Sequence, residues 1–436
     1  MTAQNGGSAF LLLYLVIVLL AGVPALLGEL VIGRRAKRNP VTALSSLSDS
    51  RAWRIGGLVF SIGTTVVLLS FYSVVGGWIV RYFIDSFSGA YLGSPAEYFS
   101  KIDFGMAAFA AQAVFLIATA VIVIGGIQRG IELATKLMVP TIAVLLVSLA
   151  LWAGMLPGSG GGYNFYLQFD WVYLQNNFLT VLNAAAGQAL FTLSVGAGGM
   201  ITYASYLDED RSLPVDAATI GILNVALGVL VGLVVFPLQF AIGVEPGSGG
   251  PGALFVSLAG AFSKLPSGAV LSSLFYAVVL LAALSSSINM LEVVVSFLID
   301  EFGVDRRRAT LGLTGMFVLT GGVNAYVQGV FEFLAFTLIN LLLYLGITSF
   351  LLFCAWVLGK QAIEEYTTSG GPVADATAPL WLAGVGVVIP LFLIFTTLSV
   401  ILPLFNVHLQ PAWVIGLSGI MITVLIGQLR RPGLFA

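Results

Sequence analysis

Oxygen-bearing side chains lie inside apolar stretches at three places in this 436-residue sequence. Thr192 precedes a run of glycines, and Asn224 stands alone among aliphatic residues. Ser285 and Ser286 belong to the run Ala-Ala-Leu-Ser-Ser-Ser that starts at Ala282. Hard cations prefer hydroxyl, amide and carbonyl oxygens, so these positions are candidates for binding sodium. Two simpler roles stay open: Asn224 can bond between helices, and the serines can bond to carbonyls one turn back.

A cluster of glycines interrupts the apolar run that carries Thr192. From Gly187 the chain reads Gly-Gln-Ala-Leu-Phe-Thr-Leu-Ser-Val-Gly-Ala-Gly-Gly. Small residues of this kind allow helices to pack closely in membranes, which is one interpretation. The other is a helix broken in mid-membrane, whose freed backbone groups bind ions and substrate. We favour the broken helix because two hydroxyl side chains, Thr192 and Ser194, precede the glycines.

The composition places the whole chain in a lipid bilayer. Hydrophobic residues make up 58% and charged residues 9% of the sequence, whereas soluble domains carry about 25% charged residues. The net charge of −2 argues against a nucleic-acid partner. Cys354 and His408 are each single in the chain, which excludes an internal disulfide and a two-histidine metal site. With no phosphate loop and no Ser–His pair, the sequence does not favour an enzyme.

Eleven apolar runs are long enough to span a bilayer as helices, which takes about 20 residues. They cover residues 9–32, 57–87, 105–126, 135–156, 180–206, 214–241, 269–302, 308–325, 331–358, 379–402 and 411–429. The fold class is therefore an all-α polytopic membrane protein. Two of the connecting loops are long, 157–179 and 242–268, and we expect them to fold over other elements.

Basic residues indicate the orientation of these helices. All but three of the 18 Lys and Arg residues fall in alternate loops; the exceptions are Arg81, Lys101 and Lys264. The positive-inside rule makes the basic loops cytoplasmic. This predicts a multi-pass protein of the plasma membrane with Met1 outside and a cytoplasmic C-terminus, as an odd number of helices requires.

Two helices carry related sequences at their ends. The first ends Phe-Ile-Asp85-Ser-Phe and the second Leu-Ile-Asp300-Glu-Phe, 215 residues later. By the charge pattern these two helices run in opposite directions, which is typical of an inverted-topology repeat. The same offset places the counterpart of the glycine-interrupted helix upstream of Met1. We therefore expect that one helix of the first repeat is missing.

Several stretches together resemble the neurotransmitter:sodium symporter family; they are residues 5–10, 28–34, 71–78, 126–132, 136–140 and 188–206. The resemblance implies a LeuT-type inverted repeat in which the eleven helices match family helices two to twelve, and the first is absent. It also implies one transmembrane transporter domain over residues 1–436. Within it, 1–156 is the remainder of the first repeat, 180–358 the second repeat, and 379–429 two additional helices.

The resemblance carries site residues over to this sequence. It assigns Thr192 and Asn224 to a first sodium site and Ala282, Ser285 and Ser286 to a second. The substrate pocket that it implies consists of Tyr72, Phe191, Thr192, Ser194, Ala197, Ser286 and Met290. The pocket positions carry no charge, and alanine at 197 leaves space, so a neutral substrate with a large apolar or aromatic side chain is expected.

Gate residues follow from the same resemblance. Tyr72 and Phe191 match an aromatic lid, and Glu332 matches an acidic position of the outer gate. Ser205, Tyr206 and Asp300 match the inner gate. The arginine partners of the two acidic gate residues, Glu332 and Asp300, are expected near the missing helix.

The implied function is a sodium-coupled secondary symporter that imports an amino acid by alternating access. The alternative is a truncated membrane scaffold or sensor that does not transport. Chloride dependence stays open, because Tyr14 and Gln188 match a chloride site whereas Gly228 departs from it. Glu292 can line an inner water pathway or pair with a neighbouring helix. The sequence does not indicate the oligomeric state.

Overall fold

The computed structural model describes residues 1–48, 50–244, 253–265 and 267–402. Within them the chain is helical and has no β-strand, which confirms the expected fold class. The main helices are α1 (Ser8–Ala36), α2 (Pro40–Ser46), α3 (Arg51–Ser86), α4 (Pro95–Ile102), α5 (Met106–Ile124), α6 (Ile127–Gly154), α7 (Gly160–Leu167), α8 (Trp171–Thr192), α9 (Gly199–Ala204), α10 (Leu213–Ala241), α11 (Leu254–Ser263), α12 (Gly268–Phe302), α13 (Arg306–Tyr326), α14 (Gln328–Leu358), α15 (Lys360–Thr367) and α16 (Gly371–Ser399). The predicted helix 411–429 and the C-terminus lie outside these residues.

Eight helices of the described residues are long and apolar enough to span a membrane: α1, α3, α5, α6, α10, α12, α14 and α16. The predicted run 180–206 is divided between α8 and α9. The predicted run 308–325 forms the single helix α13, but that helix is less apolar than the others. Its residues include Thr310, Thr314 and Gly321, which are buried against neighbouring helices, so this face of α13 does not contact lipid.

Most spanning helices pack into two groups. In the first, α1 packs against α8, α9 and α10. In the second, α3, α5, α12 and α13 pack against one another. A buried amide ties the second group together, because Gln112 of α5 accepts a hydrogen bond from Ser73 of α3 (2.8 Å) and donates one to the Val318 carbonyl of α13 (2.9 Å). The broken helix therefore belongs to one group and faces the other.

Both long loops contain helices that pack on the bundle, as expected. The first contains α7 and a short helical stretch from Trp171, which joins the rest of α8 across a kink at Asn177, close to the predicted start at 180. Asp170 caps α8 by accepting a hydrogen bond from the Tyr173 amide (2.8 Å). The second loop contains α11, whose Phe255 ring lies 5.8 Å from that of Trp78.

The basic loops meet at one end of the bundle. Arg34, at the end of α1, is buried and donates hydrogen bonds to the carbonyls of Arg211 (2.5 Å) and Glu365 (2.7 Å). Arg54 of α3 pairs with Glu301 at the end of α12. This arrangement agrees with a single basic face of the bundle.

Candidate functional site

The break in the glycine-interrupted helix lies between Thr192, the last residue of α8, and Gly199, the first residue of α9. Three residues in between adopt positive φ angles: Ser194 (+55°), Gly196 (+96°) and Gly198 (+71°). Glycine adopts this backbone region at low cost, which explains the glycine cluster. The segment outside the two helices frees backbone N–H and C=O groups in the middle of the bundle.

The Glu29 carboxylate occupies the start of α9. It is fully buried, and its Oε1 accepts a hydrogen bond from the Gly196 amide (2.6 Å). Negative charge is favourable at a helix N-terminus, where the amides have no intrahelical partner. Glu29 was not among the predicted site residues, although an ionisable residue inside an apolar run is a signal for a functional position.

The carbonyls of the break are held from the opposite group of helices. The Ala197 carbonyl accepts hydrogen bonds from Ser61 (3.0 Å) and Thr65 (3.5 Å) of α3. On another side, α14 approaches so closely that a Cβ on Gly346 would lie 2.1 Å from the Gly196 carbonyl oxygen. The break is thus a contact point between the two packed groups.

The residues predicted for the first sodium site lie next to each other. Asn224 of α10 donates its amide Nδ2 to the Thr192 carbonyl (3.0 Å), and Gln188 donates to the Thr192 hydroxyl (2.8 Å). The interhelical hydrogen bond considered for Asn224 therefore exists. It uses the amide nitrogen and leaves the amide oxygen as a possible cation ligand.

The residues predicted for the second sodium site share one carbonyl on α12. Ser285 and Ser286 both donate to the Ala282 carbonyl, at 2.8 and 3.3 Å. This is the local bonding that the sequence left open for these serines. It places three oxygen atoms within one turn of helix, and the two hydroxyl groups can turn towards an ion because they rotate.

The predicted substrate residues come from both groups of helices. Tyr72 lies on α3 and Ser286 on α12, and Met290 lies one turn further along α12. Ala197 is buried in the break, whereas Phe191 is 41% exposed. Among the ring pairs of the described residues, Tyr72 packs with Phe115 and not with Phe191, so the predicted aromatic lid is not closed by a ring contact here.

The predicted inner-gate residues do not share a partner. The Tyr206 hydroxyl donates to Glu292 (3.0 Å), and Ser205 bonds to the Thr202 carbonyl. Asp300 accepts two hydrogen bonds from Asn39, from its backbone amide (2.9 Å) and its side chain (3.1 Å).

Glu292 is the centre of a buried cluster that the sequence did not predict. It is fully buried and accepts two hydrogen bonds from Arg306 of α13, at 2.7 and 2.9 Å. Of the two roles left open for Glu292, the structure shows pairing with a neighbouring helix. Through Tyr206 the same carboxylate also reaches the segment after α9, so the cluster connects both groups.

At the other end of the bundle, Glu332 accepts a hydrogen bond from Gln328 (2.8 Å). Neither Glu332 nor Asp300 forms an ion pair within the part of the chain that the structure describes. Two of the residues that bear on chloride lie together, because a Cβ on Gly228 would lie 3.9 Å from the Tyr14 hydroxyl.

Comparisons with known proteins agree with this arrangement. A profile described as the sodium:neurotransmitter symporter family matches residues 1–93 and 99–428. An uncharacterized sodium-dependent transporter of Bacillus subtilis, YhdH, is 32% identical over 91% of this chain and 90% of its own length. A second one, from Haemophilus influenzae, is 30% identical over 92% of both chains. The crystal structure of MhsT in complex with L-phenylalanine superposes with a TM-score of 0.80 at 32% identity, covering 92% of this chain and 93% of MhsT.

Proposed function

The chain belongs to the sodium:neurotransmitter symporter family, and on this premise we propose that it imports a neutral amino acid together with sodium. The substrate in this proposal carries a large apolar or aromatic side chain. The chain is thus a membrane transporter and not an enzyme, and its coupling ion is sodium. The uptake experiment described below tests whether chloride is also needed.

The break between α8 and α9 carries the proposal. Its free backbone groups, together with Thr192 and Ala197, lie beside hydroxyl and amide side chains from α3, α10 and α12. Broken helices in secondary transporters use such freed groups to bind ions and substrate between two groups of helices. Ions and substrate that bind only one arrangement of these groups shift the equilibrium towards it, and the sodium gradient then drives alternating access.

The side chain of the substrate is inferred from three observations. None of the proposed pocket residues carries a charge, so an ionised side chain would have no partner. Alanine at position 197 is a small side chain that would leave space for a large substrate, and Met290 is a flexible side chain that adapts to irregular shapes. The similar protein MhsT binds L-phenylalanine.

Uptake by the purified full-length protein in liposomes tests the proposal. We expect uptake of labelled phenylalanine that depends on an inward sodium gradient and is competed by tryptophan and leucine more strongly than by glycine, lysine or glutamate. Replacing chloride by gluconate in parallel shows whether the anion is required. Absence of sodium-driven uptake for every amino acid would favour the scaffold or sensor instead.

Enlarging the pocket residue Ala197 tests the assignment of the substrate side chain. Ala197→Phe fills the space, and each buried methylene is worth about 0.8 kcal/mol. We expect phenylalanine and tryptophan to lose at least tenfold in affinity while alanine loses less. Equal losses for small and large substrates, measured by competition, would contradict the assignment.

We also propose that the basic end of the bundle faces the cytoplasm. Arg34, Arg54 and Arg306 lie at this end with the loops that connect to them, and cytoplasmic loops carry an excess of Lys and Arg. A cysteine introduced at Ser369, in a loop of this end, should react with an impermeant maleimide only after the cells are opened. Labelling of intact cells would reverse the orientation.

A further inference from the structure

The helix α5 carries none of the residues proposed for the sodium sites or the substrate pocket, yet it packs against both α3 and α12. Tyr72 of the proposed pocket lies on α3. Ser286, which is proposed for both the pocket and the second sodium site, lies on α12. The contacts that α5 makes next to these two residues therefore bear on the geometry of the site.

Three side chains on one face of α5 make these contacts. Gln112, Phe115 and Thr119 follow one another at spacings of three and four residues, which places them on the same side of a helix. All three are fully buried. Their amide and hydroxyl groups therefore need partners from other parts of the bundle or from their own helix.

The first two of these side chains hold the part of α3 that carries Tyr72. The Phe115 ring lies 6.4 Å from the Tyr72 ring. Gln112 accepts a hydrogen bond from Ser73, the residue after Tyr72, at 2.8 Å. The same amide donates to the Val318 carbonyl of α13 at 2.9 Å, so it is held from two sides.

Glycines on both neighbouring helices make room for the Gln112 amide. A Cβ on Gly321 of α13 would lie 2.3 Å from Gln112 Oε1 and 2.6 Å from Ser73 Oγ. A Cβ on Gly77 of α3 would lie 2.5 Å from the Gln112 backbone nitrogen. Since helices approach closely only where side chains are small, α3, α5 and α13 meet most tightly at this amide.

The third side chain holds α12 beside Ser286. The Thr119 hydroxyl lies 2.7 Å from the hydroxyl of Ser287, the residue after Ser286, and either can donate. Each hydroxyl also bonds to a carbonyl of its own helix, Thr119 to Phe115 at 3.0 Å and Ser287 to Leu284 at 2.9 Å. If the bond between the helices is lost, Ser287 therefore still has a partner.

These contacts restrain the rotation of α3 and α12 about their axes. Side-chain atoms lie about 5 Å from a helix axis, so a rotation of about 10° moves them by about 1 Å. Binding groups have to be held to within about 0.5 Å of their productive positions. Neighbouring residues of a helix rotate together, so the bonds from α5 to Ser73 and Ser287 restrain the site residues that precede them.

We propose that Gln112, Phe115 and Thr119 are positioning residues that set the rotation of α3 and α12 around the substrate and second sodium sites. The inference rests on the proposed function, which identifies Tyr72 and Ser286 as binding residues. Thr119 acts on sodium and substrate through Ser286, whereas Gln112 acts on the substrate through Tyr72. A contact that only stabilised the bundle would change the amount of folded protein and leave these affinities as they are.

Thr119→Val tests the contact to α12, because valine is β-branched like threonine and lacks the hydroxyl. In the liposome assay it should raise the sodium concentration for half-maximal uptake about threefold to tenfold, the effect of one neutral hydrogen bond. Thr119→Ser keeps the hydroxyl and should restore the wild-type value. Thr314→Val is the matched control and should leave this concentration unchanged, because Thr314 is buried in α13 and its hydroxyl bonds to the Thr310 carbonyl of its own helix.

Gln112→Leu tests the contact to α3. Ser73 keeps a hydrogen bond to the Ser70 carbonyl (2.9 Å) in this variant, so its hydroxyl does not lose every partner. The substrate concentration for half-maximal uptake should rise about threefold to tenfold, with a smaller shift in sodium dependence than in Thr119→Val. A lower maximal rate, with both concentrations equal to those of the wild type, would show that Gln112 only stabilises the bundle.

Hydrogen–deuterium exchange separates this inference from the proposed function, because it does not require transport. Peptides covering residues 282–290 should exchange about threefold to tenfold faster in Thr119→Val than in the wild type, and at the wild-type rate in Thr314→Val. Absence of sodium-driven uptake by the wild type would contradict the proposed function, and the exchange would still decide whether Thr119 restrains α12. Equal exchange in Thr119→Val and the wild type, or equal sodium dependence where the wild type transports, would overturn the positioning role.

Discussion

The hydrogen bond from Tyr206 to Glu292 should hold the segment after α9 in place. Tyr206→Phe removes this bond and leaves the ion pair between Glu292 and Arg306 intact. A hydrogen bond to a charged group contributes about 1.5–3 kcal/mol. We expect the lower end, about 1.5 kcal/mol, because Tyr206 is 42% exposed and water can replace its hydroxyl. Since 1.4 kcal/mol corresponds to a factor of ten, α9 should open about tenfold more often.

Hydrogen–deuterium exchange of peptides that cover residues 199–207 measures this opening. The amides of this segment should exchange about tenfold faster in Tyr206→Phe, whereas peptides from α5 and α13 should not change. Tyr326→Phe is the control, because the Tyr326 hydroxyl contacts the Met106 sulfur at 3.6 Å, far along the chain from α9. Equal exchange in the wild type and Tyr206→Phe would refute the idea that this hydroxyl restrains α9.

Glu292→Gln separates local opening from overall stability. It removes the counter-charge of Arg306, whose side chain is 23% exposed, and weakens the bond to Tyr206. Breaking a buried ion pair costs about 3–5 kcal/mol, and partial exposure of Arg306 moves the expected loss to the lower end. The melting temperature in detergent should therefore fall in Glu292→Gln and stay within about 2 °C of the wild type in Tyr206→Phe. A similar melting temperature for Glu292→Gln and the wild type would show that water compensates Arg306.

Two further predictions concern ion binding and helix packing. Asn224→Ala and Ser285→Ala should each raise the sodium concentration for half-maximal uptake several-fold, because each removes one oxygen ligand. Asn340→Ala is the control and should not change this concentration, since the Asn340 side chain bonds to a carbonyl of its own helix. Unchanged sodium titrations in both variants would count against the site assignment. Gly33→Ala should destabilise the protein by about 1–3 kcal/mol, because the added Cβ would lie 2.2 Å from the Ile201 carbonyl oxygen of α9. A melting temperature equal to that of the wild type would show that α1 and α9 can separate at no cost.

Much of the architecture follows from two patterns in the sequence. Apolar runs predict the spanning helices because lipid requires about 20 such residues, and the glycines after Thr192 predict the break. The apolar runs did not predict the short polar stretch that begins α8: Asp170 caps it, it includes Gln175 and Asn176, and it joins the predicted helix across a kink at Asn177. Apolar periodicity contains no signal for a helix turn that lies outside the membrane core.

The contacts at the site were harder to predict than its residues. Thr192 and Asn224, which the resemblance assigned to one sodium site, lie in contact, and their binding of sodium stays a prediction. The bonds from Ser61 and Thr65 to the Ala197 carbonyl could not be expected, because hydroxyl side chains are common in membrane helices and most bond locally. Which hydroxyl faces a break depends on the rotation of its helix, and that is set by packing rather than by composition.

The two buried carboxylates show the same limit of prediction from sequence: the need for a partner can be predicted, but not which group the partner is. Glu29 and Glu292 are both fully buried, and a buried charge is too costly to remain without compensation. Sequence reasoning can therefore predict that each has a partner. The partners are of different kinds: the backbone amide of Gly196, in the break before α9, stabilises Glu29, whereas the Arg306 guanidinium stabilises Glu292. Backbone amides become available only because the helix is broken, so the partner of Glu29 follows from the break itself. An acid on a helix that packs against a broken one is therefore a candidate cap for the second half of that helix.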